Sequence, residues 1–218
     1  MEISQNWIIR KIDYDKKFPF VVIDNWYNKE EEILIWQELD YLFQFFKNKK
    51  NEYRSENNED VARDNKGISK SNSYRLYLDN YYTDKGRQFS HILNFCYKQK
   101  MKEFHSIIKD AIPMGRLFST TNFNSTMLTY YDKNDFYEEH FDESFFTCLI
   151  WMHKEPKSFS GGDLELSESN KIVKIKNNRM ILFPSFYLHK STVLDFLQYK
   201  ENLGLGKFTI THFYNINN

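Results

Sequence analysis

His140-Phe141-Asp142 and the more distant His189 are the residues of this 218-residue chain whose types and spacing could do chemistry. Two imidazoles and one carboxylate supply half of an octahedral metal site. On a strand successive side chains alternate faces, so His140 and Asp142, two apart, point the same way and can grip one ion. His189 ends the apolar run 180–188, which has strand character, as a ligand delivered by a neighbouring strand requires. Such a set leaves three positions open on the metal, the donor arrangement with which non-haem Fe(II) handles a cosubstrate and O₂.

The surroundings of these residues carry more than the triad itself. Tyr130-Tyr131-Asp132-Lys133-Asn134-Asp135-Phe136-Tyr137-Glu138-Glu139 leads into His140, Ser160-Gly161-Gly162-Asp163-Leu164-Glu165-Leu166 follows, and Arg179-Met180-Ile181-Leu182-Phe183-Pro184 precedes His189. Gly206-Lys207-Phe208-Thr209-Ile210-Thr211-His212-Phe213 closes the series. Together these segments resemble the prolyl 4-hydroxylase-like Fe(II)/2-oxoglutarate dioxygenases. That family has a Tyr and an aromatic before the first His, a Gly-Gly-acidic strand, and a basic residue on a strand after the second His. The resemblance implies Fe(II) held by His140, Asp142 and His189, 2-oxoglutarate as cosubstrate with its far carboxylate on Lys207, O₂ as oxidant, and ascorbate as an optional addition. It implies hydroxylation of a C–H bond, first of a peptidyl proline in a peptide or protein partner. Hydroxylation of a free amino acid or other small molecule, and a non-catalytic metal- or ligand-binding barrel, are the alternatives. Lys207 lies further from His189 than is usual in the family, across residues 195–202, which read as a loop insertion at little entropic cost. Lys190 is the alternative basic residue.

Period-two spacing supports Lys207 independently. Lys207, Thr209 and Thr211 share one strand face, and a Lys with two hydroxyls turned into a barrel needs a partner, because burying an unpaired charge costs several kcal/mol. A dicarboxylate supplies one. Tyr131, or Tyr130 if the register slips by one, adds a phenolic hydrogen bond to the same carboxylate.

The elements that must position these groups follow from the pattern along the chain. Residues 18–26 read as a strand. Asn28 is a fitting N-cap with Glu31 in capping-box spacing, and Ile33, Trp36, Leu39 and Phe43 or Phe46 form an apolar stripe near the helical period. Residues 47–73 turn polar and lose periodicity, which predicts a long surface excursion and a candidate lid over the site. Residues 74–78 return to strand, with Arg75 and Tyr77 at the pocket mouth. A second helix is predicted over 84–109, with Phe89, Ile92, Leu93, Cys96, Tyr97, Phe104, Ile107 and Ile108 facing inward. From Leu117 short strands dominate, with turns at Lys133-Asn134, Gly161-Gly162 and Asn177-Asn178, and one set among Thr147, Leu149 and Trp151 lining the pocket. The expected fold is α+β, mainly β: a double-stranded β-helix, or jelly-roll barrel, with supporting N-terminal helices. The expected organisation is a single domain over 1–218, with 1–116 as support and 117–218 as barrel core.

Thirty basic and thirty acidic residues cancel, so no global field draws in nucleic acid or anionic membrane. Cys96 and Cys148 fall in apolar segments and read as buried thiols. The first residues lack a signal-peptide pattern and no apolar run reaches membrane-span length, so a cytoplasmic location is expected. His153-Lys154-Glu155 also has metal-pair spacing, but it ends a strand before a Pro. His212 is expected on the outer face of its strand, and His91 and His105 on helices, all as ordinary histidines.

Overall fold

Residues 6–12, 17–112, 114–198 and 203–217 are described by the computed structural model. Fourteen strands are found among them: β1 (Ile8–Ile12), β2 (Phe20–Asp24), β3 (Ser71–Asn72), β4 (Tyr74–Tyr77), β5 (Phe123–Tyr131), β6 (Phe136–His140), β7 (Phe146–Met152), β8 (Phe159–Gly161), β9 (Leu164–Leu166), β10 (Lys171–Val173), β11 (Arg179–Pro184), β12 (His189–Ser191), β13 (Leu194–Phe196) and β14 (Lys207–Asn215). A seven-stranded antiparallel sheet runs β1-β2-β11-β7-β14-β5-β4, a five-stranded one runs β10-β9-β12-β6-β3, and β13 pairs with β8. This is a mainly β structure of two facing sheets with helices, the double-stranded β-helix the strand pattern predicts.

Strands β2, β7 and β11 of the large sheet are buried on both faces and carry nearly continuous apolar residues. On β7, Phe146, Cys148, Ile150 and Met152 join the core under the helices, whereas Leu149 and Trp151 join the core between the sheets. On β14, Phe208 and Ile210 face the helices, so Lys207, Thr209 and Thr211 face the other sheet. Polar residues on one face of an otherwise buried strand are thus the mark of a site in this fold.

Six helices pack mostly behind the large sheet: α1 (Lys29–Asn48), α2 (Lys50–Tyr53), α3 (Leu78–Tyr81), α4 (His91–Asn94), α5 (Lys102–Ala111) and α6 (Gly115–Phe118). Helix α1 begins as its sequence dictates. Asn28 Oδ1 accepts from Glu31 N at 2.9 Å and Asn28 N donates to Glu31 Oε2 at 2.8 Å, a capping box whose N-cap is worth about 1 kcal/mol. Its buried stripe is Ile35, Leu39, Leu42, Phe43 and Phe46. Ile33, expected inside, is 60% exposed, because the true stripe starts at Ile35 and leaves Ile33 on the opposite side.

The single helix expected over 84–109 is instead a broken series, α4, a 3₁₀ stretch Phe95–Lys100, and α5. Glu38, buried on α1, accepts from Ser90 Oγ at 2.7 Å and Ile92 N at 2.8 Å, while Ser90 Oγ caps Leu93 N at 3.1 Å. A fresh helix start is fixed there. The break rotates the register, so Phe89 at 71% and Tyr97 are exposed rather than inward. Residues 47–73 are also more ordered than predicted. They contain α2, a 3₁₀ turn at Ser55–Asn57 and β3, and Arg54 clamps them to Asp135 with Nη2 3.0 Å from Oδ1. The expected turns carry the left-handed backbone that Asn and Gly favour, at Asn134, Gly161, Gly162 and Asn178. Within the insertion, Leu194–Phe196 forms β13, and 199–202 lie outside the described residues, as do 1–5 of the leader reading. Among the described residues no helix is long and apolar enough to cross a membrane.

Candidate metal centre and its pocket

Strands β6 and β12 bring two imidazoles together by register, since His140 pairs directly with His189. Asp142 reaches them differently from the strand alternation expected, because β6 ends at His140 and the chain turns. Asp142 N then donates to Ser185 O at 3.0 Å. The Thr147 hydroxyl donates to Asp142 Oδ2 at 2.6 Å and pairs with Ser185 Oγ at 2.8 Å, fixing the carboxylate from behind. The ligating atoms of His140, Asp142 and His189 all lie within 4.8 Å of one another.

The ring orientations decide what this cluster can hold. Nδ1 of His140 donates to the Glu138 carbonyl and Nδ1 of His189 to the Tyr187 carbonyl, each at 2.8 Å. With the ring proton fixed there, each Nε2 presents a lone pair. Both Nε2 atoms stand 3.5 Å from an Asp142 oxygen. Burial pushes the His189 imidazole down, opposing a second proton. Burial alone would raise the Asp142 carboxyl, but His189, His140 and Thr147 bring it down to about 2. Two imidazoles whose Nδ1 atoms already donate elsewhere and a carboxylate turn three ligand atoms toward one point, and a divalent cation is a group that this donor set fits. Tyr137 stacks on the His140 ring at 3.5 Å and Phe183 meets the His189 ring edge-on at 5.0 Å, so both rings are held against rotation.

Behind the triad a pocket runs between the sheets, lined by Arg75, Thr129, Tyr131, Leu149, Trp151, Lys207, Thr209 and Thr211 among others. Thr147 supports the triad from the same strand face as Leu149 and Trp151. Tyr131 faces this cavity, and Tyr130 does not. Tyr130 turns into the helical core beside Phe43 and Phe208, where its hydroxyl accepts from Gly206 N at 3.1 Å. Lys207 is 2% exposed; its ammonium donates to Gly162 O at 2.8 Å and Ser191 Oγ at 2.7 Å, and sits 3.9 Å from the Tyr131 ring centroid. Burial lowers it to about 7, and among the described residues it has no ion-pair partner. Thr209 Oγ1 nearby is buried with no hydrogen-bond partner. Lys190, the alternative cation, turns outward to Glu165 Oε2 at 2.7 Å.

Gly206 sets the entry of β14. A Cβ there would stand 2.0 Å from Tyr131 O and 2.9 Å from Tyr130 Oη. Gly206→Ala is therefore expected to displace the start of β14 and Lys207 with it, costing about 1–3 kcal/mol, read as a lowered midpoint in a urea titration.

Sequence reading missed Ser191, the Gly162 carbonyl and Ser185. Ser191 was findable, since it follows His189 by two on the same strand face; Ser185 carries no such signal. The other histidines stand apart. His153 is buried with Nδ1 3.2 Å from Lys154 O and 3.7 Å from Glu155, and no third ligand joins them among the described residues. His212 is on the strand face away from the pocket, but it is buried there, not solvent-facing. The 95–100 stretch covers it, and its Nδ1 lies 2.9 Å from Thr126 Oγ1 and 3.5 Å from Cys96 Sγ. His105 Nε2 meets Gln99 O at 2.9 Å, and His91 stacks on Phe95. Cys148 is buried, Cys96 only partly so, and both are free thiols.

Residues 126–215 match the model of the 2OG-Fe(II) oxygenase superfamily. No curated protein matches the sequence. Among solved structures the chain is similar to a Pseudomonas putida prolyl-4-hydroxylase, at 11% identity and a TM-score of 0.55, covering 99% of this chain and 95% of that one. It is also similar to a truncated viral collagen prolyl hydroxylase of Paramecium Bursaria Chlorella virus-1, at 12% identity and a TM-score of 0.50 over 94% and 93% of the two chains. NgTET1 in complex with 5mC DNA is similar at 13% identity and a TM-score of 0.52, over 91% and 72%.

Proposed function

We propose that the chain is a 2OG-Fe(II) oxygenase, the family whose model residues 126–215 match, and that His140, Asp142 and His189 hold Fe(II) for the hydroxylation of a peptidyl proline. The observation that carries the metal assignment is the pair of Nδ1–carbonyl hydrogen bonds, which turns both Nε2 atoms toward the Asp142 carboxylate. When bound, Fe(II) with 2-oxoglutarate and O₂ supplies the oxidising power that converts a C–H to C–OH, with succinate and CO₂ as co-products. Each of this chain's residues then has a plain task. Thr147 orients Asp142; the Glu138 and Tyr187 carbonyls fix the imidazole tautomers. Lys207 neutralises the far carboxylate of 2-oxoglutarate, with Thr209 Oγ1 and the Tyr131 phenol as further donors. Tyr137, Leu149 and Trp151 wall off water, which strengthens every electrostatic contact inside. On this reading 1–218 act as one domain in the cytoplasm, with 1–116 buttressing the barrel and ascorbate as an accessory reductant.

The likeness to two prolyl hydroxylase structures supports the proline substrate, although NgTET1 shares the fold equally well. Buried Arg75 in the pocket favours a second reading, hydroxylation of a free amino acid or another small acid. A panel of proline peptides and amino acids, incubated with Fe(II), 2-oxoglutarate and O₂, separates them by a mass gain of one oxygen. Oxygenated proline peptides are expected; oxygenated free amino acids alone would replace proline with the second reading.

A further inference from the structure

Arg75 is the cation in this pocket that the reaction above does not use. It lies on β4, two strands from Lys207, in register with Thr129 on β5, which in turn faces Thr209 on β14. It is 4% exposed. Its guanidinium carbon sits 4.4 Å from the Tyr137 ring centroid, and Tyr137 in turn stacks on His140. Guanidinium, phenol and imidazole therefore form one stack that ends at the metal triad. Yet Nε and Nη2 of Arg75 are both buried with no hydrogen-bond partner. The one acidic residue on the wall of this cavity among the described residues is Asp142, already engaged by Thr147 and the two histidines.

An unmet buried donor is costly, and more so when the group is charged. A ligand is the natural remedy, and the two empty positions identify its shape. Nε and Nη2 lie on one edge of the guanidinium, with parallel N–H bonds spaced to meet both oxygens of a single carboxylate. A neutral carbonyl would satisfy one N–H and leave the charge uncompensated; a carboxylate satisfies both. The cosubstrate does not fill this role. One carboxylate of 2-oxoglutarate belongs at the metal and the other at Lys207, which leaves none for Arg75.

We propose that Arg75 is the specificity residue of this site: its Nε–Nη2 edge binds a carboxylate of the molecule being oxidised. The substrate is then an acid, with its carboxylate close to the carbon that reacts, either a small carboxylic acid or a peptide presenting an acidic group or its C-terminus beside the target residue. This rests on the dioxygenase reading and narrows its substrate class.

The test uses the full chain loaded with Mn(II), a paramagnetic and redox-quiet stand-in for Fe(II), and saturated with 2-oxoglutarate. Propionate is added as a monocarboxylate probe, with propionamide as its uncharged counterpart. Relaxation of the probe's protons by the metal reports occupancy beside the triad. The wild type is expected to relax propionate and not propionamide, Arg75→Gln to weaken that binding at least tenfold, and Arg75→Lys, which keeps the charge without the fork, to fall between. In the Fe(II) form, Arg75→Gln is expected to take up 2-oxoglutarate at the same concentration as wild type, which also shows that the variant folds. Equal relaxation in wild type and Arg75→Gln, or none in wild type, overturns the proposal. So does a raised 2-oxoglutarate requirement in Arg75→Gln, which would move Arg75 to the cosubstrate. Failure of the underlying reading looks different: the wild type then shows no 2-oxoglutarate charge-transfer band with Fe(II).

Discussion

His189→Ala is expected to abolish 2-oxoglutarate-dependent succinate formation while leaving the barrel folded. The imidazole supplies one of three acceptors that meet between β6 and β12. Losing a residue that merely orients a metal ligand costs 10–100-fold in metal affinity or activity, so losing a ligand should exceed about 100-fold. The substitution removes a ring packed against Phe183 and leaves a small cavity, a cost of about 1–3 kcal/mol by comparison with other large-to-small changes. Thermal unfolding separates the two effects. Added imidazole should restore part of the succinate yield, because the cavity has the ring's shape and opens on the metal position. Undiminished succinate from a metal-loaded variant would remove His189 from the site.

Lys207→Met should raise the concentration of 2-oxoglutarate needed for half-saturation by about 10- to 100-fold, the equivalent of one hydrogen bond to a charged group at 1.5–3 kcal/mol. The swap keeps volume and removes a buried charge, so stability should hold or rise. The pH dependence sharpens this. Burial lowers Lys207 to about 7 in the free protein, and a bound carboxylate favours the ammonium, raising it again. The charged form therefore dominates below about pH 7 and binding is at full strength there. Above that pH, wild-type affinity should weaken by up to tenfold per unit until the ligand-bound value is reached, whereas Lys207→Met should show no such slope. A wild-type profile as flat as the variant's would remove Lys207 as the anchor.

Much of this site was readable because its chemistry demands residue types that a buried strand otherwise avoids. His189, Lys207 and Thr209 are polar residues within or at the end of apolar runs, and with His140 and Asp142 from the acidic segment 138–143 they line one cavity. The choice between Tyr130 and Tyr131 was not readable, since both faces of β5 are buried and either tyrosine fits its environment. Pairing settles it: Lys207 stands opposite Tyr131, so those two share a face. The broken helix escaped notice because its break is tertiary. Glu38, on another helix, caps the start at His91, and local periodicity carries no trace of that contact. His212 lies on the outer face of β14 as expected, but its burial there was not readable, because the 95–100 stretch that covers it is a tertiary contact. Asp142 joins the two histidines by a turn and the Ser185 carbonyl, not by strand alternation, so the geometric argument for its place beside them was incomplete.

The most direct test of the central claim is anaerobic visible spectroscopy of the purified wild-type chain with Fe(II) and 2-oxoglutarate. Chelation of the keto acid at an iron held by two histidines and one carboxylate gives a visible charge-transfer band, and the account predicts that band, saturating with one equivalent of each and absent in His189→Ala. A folded, iron-loaded wild type without the band would mean that the triad does not present its open positions to 2-oxoglutarate, and the barrel would have to be regarded as a binding protein.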